Sequence, residues 1–437
     1  MRKALVMCFA DSSQNPRPNR MIHYLIEQNM NVSVLATGDP NIEGVNYFSL
    51  ATPPELAQPS GKRISKKIHN VFAQLLEKRI SRKIHNVFAR LFTRNPFPFL
   101  TRFGLWMGHN RSALGRVSSS FFERRIWSES LCKQREFLSQ MEFDLIVTHG
   151  VNLLPLALSI KKKAKVILDA EEYYPQNFAD RYLWRKIEQP FKEYLVSRYI
   201  AKCDRVLTVS PGFAEAYEKN HGVKCAVFMS LPNSHRLRPT DIDPGHIRLI
   251  YHGHANPSRR THLMIEMMDY VNDCYQLDLM LVGCKKAYLD FLQSLVSRRK
   301  NVRLIKPVLM SEIVPFTNQY DIGLFLLQPS NFNLQYTLPN KLFEFIQARL
   351  AVAVTPTAMR QIVEKYDCGC VSDGFSLQSM AQKLNALTVE KIMYYKNQSD
   401  KAAQELNAEV NGHKIREIVH ELIGEEMSQN QQAKLAN

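Results

Sequence analysis

The chain reads as an α/β protein: two doubly wound, Rossmann-like domains facing a cleft, with a basic amphipathic helical insert in the first. Three observations predict this. Short apolar runs alternate with helical stretches almost throughout, as parallel sheets layered with helices require. The 437 residues exceed what one core holds and suit two domains of about 200 each. Residues 232–247, rich in Pro, Asn, Asp and Gly, divide the runs into two sets.

The elements follow in order. Before the linker the strand-like runs are 4–9, 32–36, 145–148, 166–169 and 206–209. Beyond it come 249–251, 279–282, 302–305, 322–327 and 350–354, each separated by a helical segment. The first domain is therefore set at 1–235, with its insert at about 51–125, and the second at 236–400. Residues 401–424 read as a C-terminal helix that could cross back to the first domain, and 425–437 as a polar, disordered tail. In such sheets ligands sit at the carboxyl ends of the strands. His149 and Gly253 each follow a run, and Asp169 ends one.

One segment breaks the rhythm. KRISKKIHNVFAQLL at 62–76 returns as KRISRKIHNVFARLF at 78–92, a 16-residue period with three substitutions. Each copy sets Ile, Ile, Val, Phe and Leu at i, i+4, i+7, i+8 and i+11, an amphipathic helical stripe. Residues 62–94 hold ten Lys or Arg and one acid, Glu77. A 16-residue shift turns the stripe by roughly 160°, so the segment should bend between the copies or pack one on the protein.

The formal charge of +16 favours an anionic partner. No helix-turn-helix, zinc finger or ribonucleoprotein signature supports nucleic acid. An anionic membrane surface at 62–94 fits better, because Phe and Leu lie opposite Lys and Arg; a solvated face is the plainer alternative. No apolar run approaches the ~20 residues of a bilayer span. The apolar start is too short for a signal peptide. Eight scattered cysteines lack framework or zinc spacing, which points to a reduced, cytoplasmic protein.

The most telling stretch is Pro339-Asn340-Lys341, then Glu344, then an apolar run. Pro suits a first helical turn, and such a turn offers N–H groups and a positive dipole end to a phosphate. Asn340 and Glu344 share a helix face. A carboxylate there can accept from both hydroxyls of a ribose. A capped surface helix with an exposed Lys and Glu is the plain alternative. Tyr251-His252-Gly253 ends a strand, and Arg259-Arg260 follows; Gly lets a ligand approach, and guanidiniums fork onto pyrophosphate oxygens.

With these residues in place, the chain resembles the retaining GT-B glycosyltransferases of the family 4-like, bacterial polysaccharide type. Segments 249–265, 279–283, 302–307, 320–323 and 338–354 look like blocks of that family's nucleotide-sugar domain. Segments 144–158 and 164–175 look like its acceptor-side blocks. The resemblance leaves out about 51–125 and the tail. It implies that Arg259, with Arg260, holds the donor diphosphate. Asn340 and Lys341 would lie at the phosphate end, Glu344 on the ribose, and His149 against the transferred sugar. His149, Arg259 and Lys341 would carry catalysis by steadying the departing charge. Asn15, Arg17, Glu171 and Glu172 are acceptor-side candidates. No metal or other cofactor is implied, and Asp241-Ile-Asp243 lies in the linker.

The sequence departs from the family pattern in places. Tyr336 stands where an earlier glutamate is usual, and Arg349 where Gly is usual. Thr261 or Arg260 replaces another Gly. Glu171 stands for a His, and Ser12–Arg20 replaces a Gly-rich loop. The expected function is sugar transfer, with retention, from a nucleotide-diphosphate sugar to a saccharide acceptor, lipid-linked and destined for surface polysaccharide. The protein would be peripheral at the inner membrane face. A GT-B nucleotide-sugar epimerase and a non-catalytic membrane scaffold are the alternatives.

Overall fold

The computed structural model describes residues 1–9, 15–50, 111–255 and 257–424, with the backbone alone at 111–118. The duplicated basic segment 62–94 and the 425–437 tail lie outside the described residues.

The first sheet holds β1 (Lys3–Cys8), β2 (Asn31–Ala36), β3 (Asn46–Ser49), β4 (Leu145–His149), β5 (Lys165–Ala170), β6 (Arg205–Thr208) and β7 (Ala226–Val227). Their order is β3-β2-β1-β4-β5-β6-β7. The second sheet holds β8 (Ile247–His254), β9 (Tyr275–Val282), β10 (Val302–Ile305), β11 (Ile322–Phe325), β12 (Ala351–Val354) and β13 (Gly369–Val371), in the order β10-β9-β8-β11-β12-β13. Neighbouring strands pair in parallel, for example Cys8 with His149 and Gly323 with Val352. This is the doubly wound pair that the alternating runs predict. Helices on both faces bury the central strands, the exposed Lys3 at the start of β1 apart, which is why β1, β4 and β12 read as largely continuous apolar runs.

Two helices bring side chains to the strand ends. The Pro16–Ile26 helix starts where the Asn15 side chain accepts from Arg17 N, with Pro in its first turn, and buries Met21, Ile22 and Leu25. The Asn340–Gln347 helix starts after Pro339 and buries Leu342, Phe343, Phe345 and Ile346. The Phe345 ring lies against Gly323 of β11, where a Cβ would meet it at 2.3 Å. Glycine in that strand is therefore a packing requirement.

The expected break at residue 401 falls inside a helix, Val389–Ala403. No Gly or Pro interrupts that stretch. The next helix, Ala408–Ile423, begins only where Asn407 accepts from Val410 N. It packs on the first sheet's side: Ile415 and Val419 join the core formed by Ala4, Val6 and Met21. Tyr24 Oη donates to Ala408 O (2.7 Å), and Asn411 to Met229 O (2.6 Å). Residues Ser49–Met141 form a separate compact unit. Its described helices are Arg111–Ile126 and Glu129–Ser139, the second capped by the Ser128 side chain.

Beneath the second sheet Lys396 is fully buried beside fully buried Asp321 (3.3 Å) and donates to Thr240 Oγ1 (2.9 Å) and Tyr320 O (3.2 Å). Lys396→Ala removes the buried ammonium and leaves Asp321 to Arg248, whose backbone N donates to it (2.8 Å) and whose Nε lies 3.6 Å away. Loss of about 3 kcal/mol is expected in chemical denaturation.

Candidate functional site

Strand order reverses between β1 and β4 and again between β8 and β11, the places where open α/β sheets bind ligands. Each switch point carries a cluster of charged side chains.

In the first domain, parallel register sets Cys8 beside His149 and His149 beside Asp169. His149 Nδ1 lies 2.9 Å from Asp169 Oδ2. From the Pro16–Ile26 helix, Arg17 donates to the same carboxylate through Nε (2.7 Å) and Nη2 (2.6 Å), and to Phe228 O (2.9 Å). Burial alone would raise the Asp169 pKa; the Arg17 and His149 partners outweigh it and hold it well below the usual carboxylate range. Glu171 Oε1 stands 3.8 Å from His149 Nδ1 and 4.0 Å from Arg17 Nε. Burial, then Asp169, raise its pKa. Glu172, which accepts from Asn177, is pushed up to about 7 by burial and by Glu171. Tyr217 Oη fixes this turn by donating to Glu172 O (2.7 Å) and accepting from Tyr174 N (3.2 Å). Gly150, at φ +89°, turns the chain away after His149.

The His149, Asp169 and Glu171 ligand atoms lie within 4.8 Å of one another, a spacing that a divalent ion could bridge. Arg17, buried and bidentate on Asp169, already takes the cationic place there.

In the second domain, Lys341 is buried at the head of the Asn340–Gln347 helix. Its ammonium sits 4.2 Å from the Tyr251 ring centre and 4.5 Å from that of Phe325, and donates to Tyr251 Oη (3.0 Å). Tyr251 lies in the second half of β8 and Phe325 ends β11, so the cation lies across the switch point. Gly253, at φ +126°, makes room: a Cβ there would come within 2.9 Å of Lys341 Nζ. Burial lowers the Lys341 pKa against the pull of Tyr251. Burial would raise Tyr251, but Lys341 and Arg259 outweigh it and bring the phenol below its usual value. Glu344, one turn on, is pushed up to about 7 by burial, with Lys341 and Arg20 pulling the other way. His252 Nε2 lies 3.4 Å from Glu344 Oε2. Burial and Lys341 bring the imidazole down to about 3, so it is neutral and the contact is no ion pair.

The structure thus brings Gly253, Lys341 and Glu344 into one cluster, with Arg259 beside Tyr251, and gathers His149, Arg17 and Glu171 into another. Asn340 is half-buried at the helix start. Three expected ligand contacts find other uses. Asn15 caps its helix. Arg17, far from presenting a free fork to an acceptor, is committed to Asp169, because a buried carboxylate on β5 needs that cation. Arg260 is exposed at φ +49° and donates to Gln328 Oε1 (2.6 Å). Arg349 takes the left-handed turn at φ +62°, the conformation Gly prefers. It ties Asp400 (2.6 Å) to His235 O (2.8 Å). Tyr336 stacks on Phe332 and lies against Gly212, so an aromatic contact fills the place of a carboxylate.

Sequence reasoning missed Arg20 and His252. Arg20 donates to Ser230 Oγ (2.7 Å) and acts on Glu344 across the cleft. Its three-residue spacing from Arg17 on one helix was the available signal.

No protein-family model matches the sequence, and no curated protein matches it. Solved structures do. The sucrose-phosphate synthase of Thermosynechococcus elongatus aligns over 97% of this chain and 100% of its own, with TM-score 0.62 and 10% identity. The trehalose 6-phosphate synthase of Burkholderia multivorans aligns over 98% of each chain, with TM-score 0.59 and 10% identity. Anabaena HepE, solved with UDP and glucose, covers 96% of this chain and 99% of its own, with TM-score 0.58 and 12% identity. At such identities the likeness is one of architecture, and it is full-length. The chain has the GT-B fold of these enzymes.

Proposed function

We propose that this protein is a retaining GT-B glycosyltransferase that moves a sugar from a nucleotide-diphosphate donor to a saccharide acceptor. The observation that carries the reading is the buried Lys341 ammonium, set over Tyr251 and Phe325 with Arg259 and Glu344 beside it. A cation held in aromatic surroundings, with few oxygens around it, is matched to a ligand that brings its own negative charge. The Anabaena structure with UDP and glucose belongs to a protein of the same fold, which supports the choice of ligand class.

In this reading Lys341, Arg259 and the N–H groups of the Asn340–Gln347 helix meet the diphosphate, and Glu344 accepts from the ribose hydroxyls. The acceptor hydroxyl attacks on the face that the diphosphate leaves, and the fixed cations steady the departing charge. Asp169 and Arg17 hold His149 toward the sugar. No step calls for a metal. The acceptor is taken to be lipid-linked and part of surface polysaccharide synthesis, with residues 62–94 a basic foot on the cytoplasmic membrane face.

Arg259→Ala and Glu344→Ala should each weaken nucleotide binding tens- to hundredfold, about 2 to 3 kcal/mol, with melting little changed. Calorimetric titration against a panel of nucleotide sugars checks this, and wild-type affinity in either variant would move the pocket elsewhere. Turnover should survive added chelator. The raised carboxyls of Glu171, Glu172 and Glu344 favour a second reading, an epimerase acting on the free donor, since protonated acids can shuttle protons. Free nucleotide diphosphate released only with acceptor present separates the two. A chain that binds no nucleotide sugar would be the scaffold.

A further inference from the structure

Directly after the Glu171–Asn177 turn comes a short helix, Tyr182–Ile187, that buries none of its residues. It carries Tyr182 (64% exposed), Leu183 (66%) and Ile187 (40%), and Phe178 (38%) precedes it. A helix whose apolar side chains, the half-buried Trp184 apart, face water has little stabilising face of its own. Between them stand exposed Arg181, Arg185 and Lys186, against one acid, Asp180. Arg181 lies over the Phe178 ring (4.5 Å) and Lys186 over Tyr182 (5.8 Å), while Phe178 meets Trp184 edge-on. Asp180 accepts from Asn331 of the second domain (2.8 Å), which puts the patch at the cleft rim.

We propose that residues 178–187 insert into the surface of an anionic bilayer and hold the cleft mouth against it. Interfacial aromatics with interleaved cations suit the headgroup layer, where rings meet the acyl boundary and cations meet phosphates. The charge selects this occupant over a second copy of the chain, because a twofold contact through the patch would set Arg181, Arg185 and Lys186 against themselves. A lipid-borne acceptor would then arrive beside Glu171 and Glu172. That consequence rests on the transferase reading; the membrane contact does not.

The test uses the full chain and vesicles of phosphatidylcholine with about 30% phosphatidylglycerol, beside phosphatidylcholine alone. Tyr182→Ser/Leu183→Ser/Ile187→Ser should lower partitioning onto the anionic vesicles about tenfold. Melting should stay unchanged, since these side chains are exposed. The sequence has three tryptophans. With Trp106→Phe and Trp127→Phe in place, the remaining Trp184 should be quenched by brominated lipid, a readout specific to the patch even if another segment also binds. Sedimentation with vesicles but no Trp184 quenching would overturn the proposal, as would no binding at all. Dimerisation abolished by the triple substitution would overturn it in favour of self-association. Vesicle binding by a protein that binds no nucleotide sugar would sink the transferase reading and leave this one standing.

Discussion

Lys341→Met should lose nucleotide-diphosphate binding by a hundredfold or more while melting at the same temperature or higher. The two halves of that result have one cause. The ammonium is buried over two aromatic rings, and burial lowers its pKa against the pull of Tyr251. Its desolvation is therefore a cost that the unliganded fold carries. Methionine fills similar volume over Tyr251 and Phe325 without a charge, and replacing a buried charge with a packed apolar group is commonly neutral or stabilising. A diphosphate changes the balance. In so dry a place one charge-assisted contact is worth about 3 kcal/mol or more, hence the hundredfold. Arg259→Ala should lose less, because Arg259 is only half-buried and its contacts are better screened. Titration calorimetry and a melting curve on the same sample decide the matter. A variant that binds as wild type would show that the cation serves the core. One that unfolds would show Lys341 to be a structural partner of Tyr251.

Much of this was legible in residue order, and the parts that were not share a physical reason. The runs at 145–148, 166–169 and 350–354 match β4, β5 and β12 to within a residue or two, because strands buried on both faces must be apolar throughout. The edge strands β3, β7 and β13 escaped. β3 is the half-exposed Asn46–Ser49, β7 has two residues, and β13 is half-buried, so none offers a periodicity to read. In the second domain Asn340, Lys341 and Glu344 lie on one helix, and the spacing of Asn340 and Glu344 carried the reading. The first-domain cluster has no such local signature. Arg17 meets Asp169 across 152 residues, and His149 meets Asp169 through the register of two strands. The sequence shows a charged residue near each strand end but not which charges cancel. Arg17 was therefore read as a ligand contact, when a buried carboxylate had already claimed it. Tyr336 is a similar case: its departure from the family pattern was visible, but its seat against Gly212 depends on a neighbour 124 positions away.

Asp169→Ala should be the most destabilising single change at the first-domain switch point, costing about 3 to 5 kcal/mol in chemical denaturation. It leaves the buried Arg17 guanidinium with Phe228 O (2.9 Å) and the more distant Glu171 (4.0 Å), and it leaves His149 without its neighbour at 2.9 Å. Asp169→Asn keeps the shape and should cost less. The pH dependence tells the charge from the packing. Asp169 has a depressed folded pKa. Its contribution is fully present above the usual carboxylate value of about 4 and drains away as pH falls toward the folded value. Glu172 and Glu344 have the opposite sign. Both are raised to about 7, so the folded state holds protons that the unfolded state has released. Their contribution is complete below about pH 4.5 and is lost as pH climbs to about 7. Wild-type stability should therefore fall on both sides of mildly acid pH. Asp169→Asn should flatten the acid limb and spare the other, while Glu344→Gln should flatten the neutral limb and spare the acid one. Denaturation midpoints measured from about pH 3 to pH 8 separate the two limbs. An acid limb equally steep in Asp169→Asn would show that Arg17 and Asp169 form no charged pair, and His149 would then lose the support on which its proposed role depends.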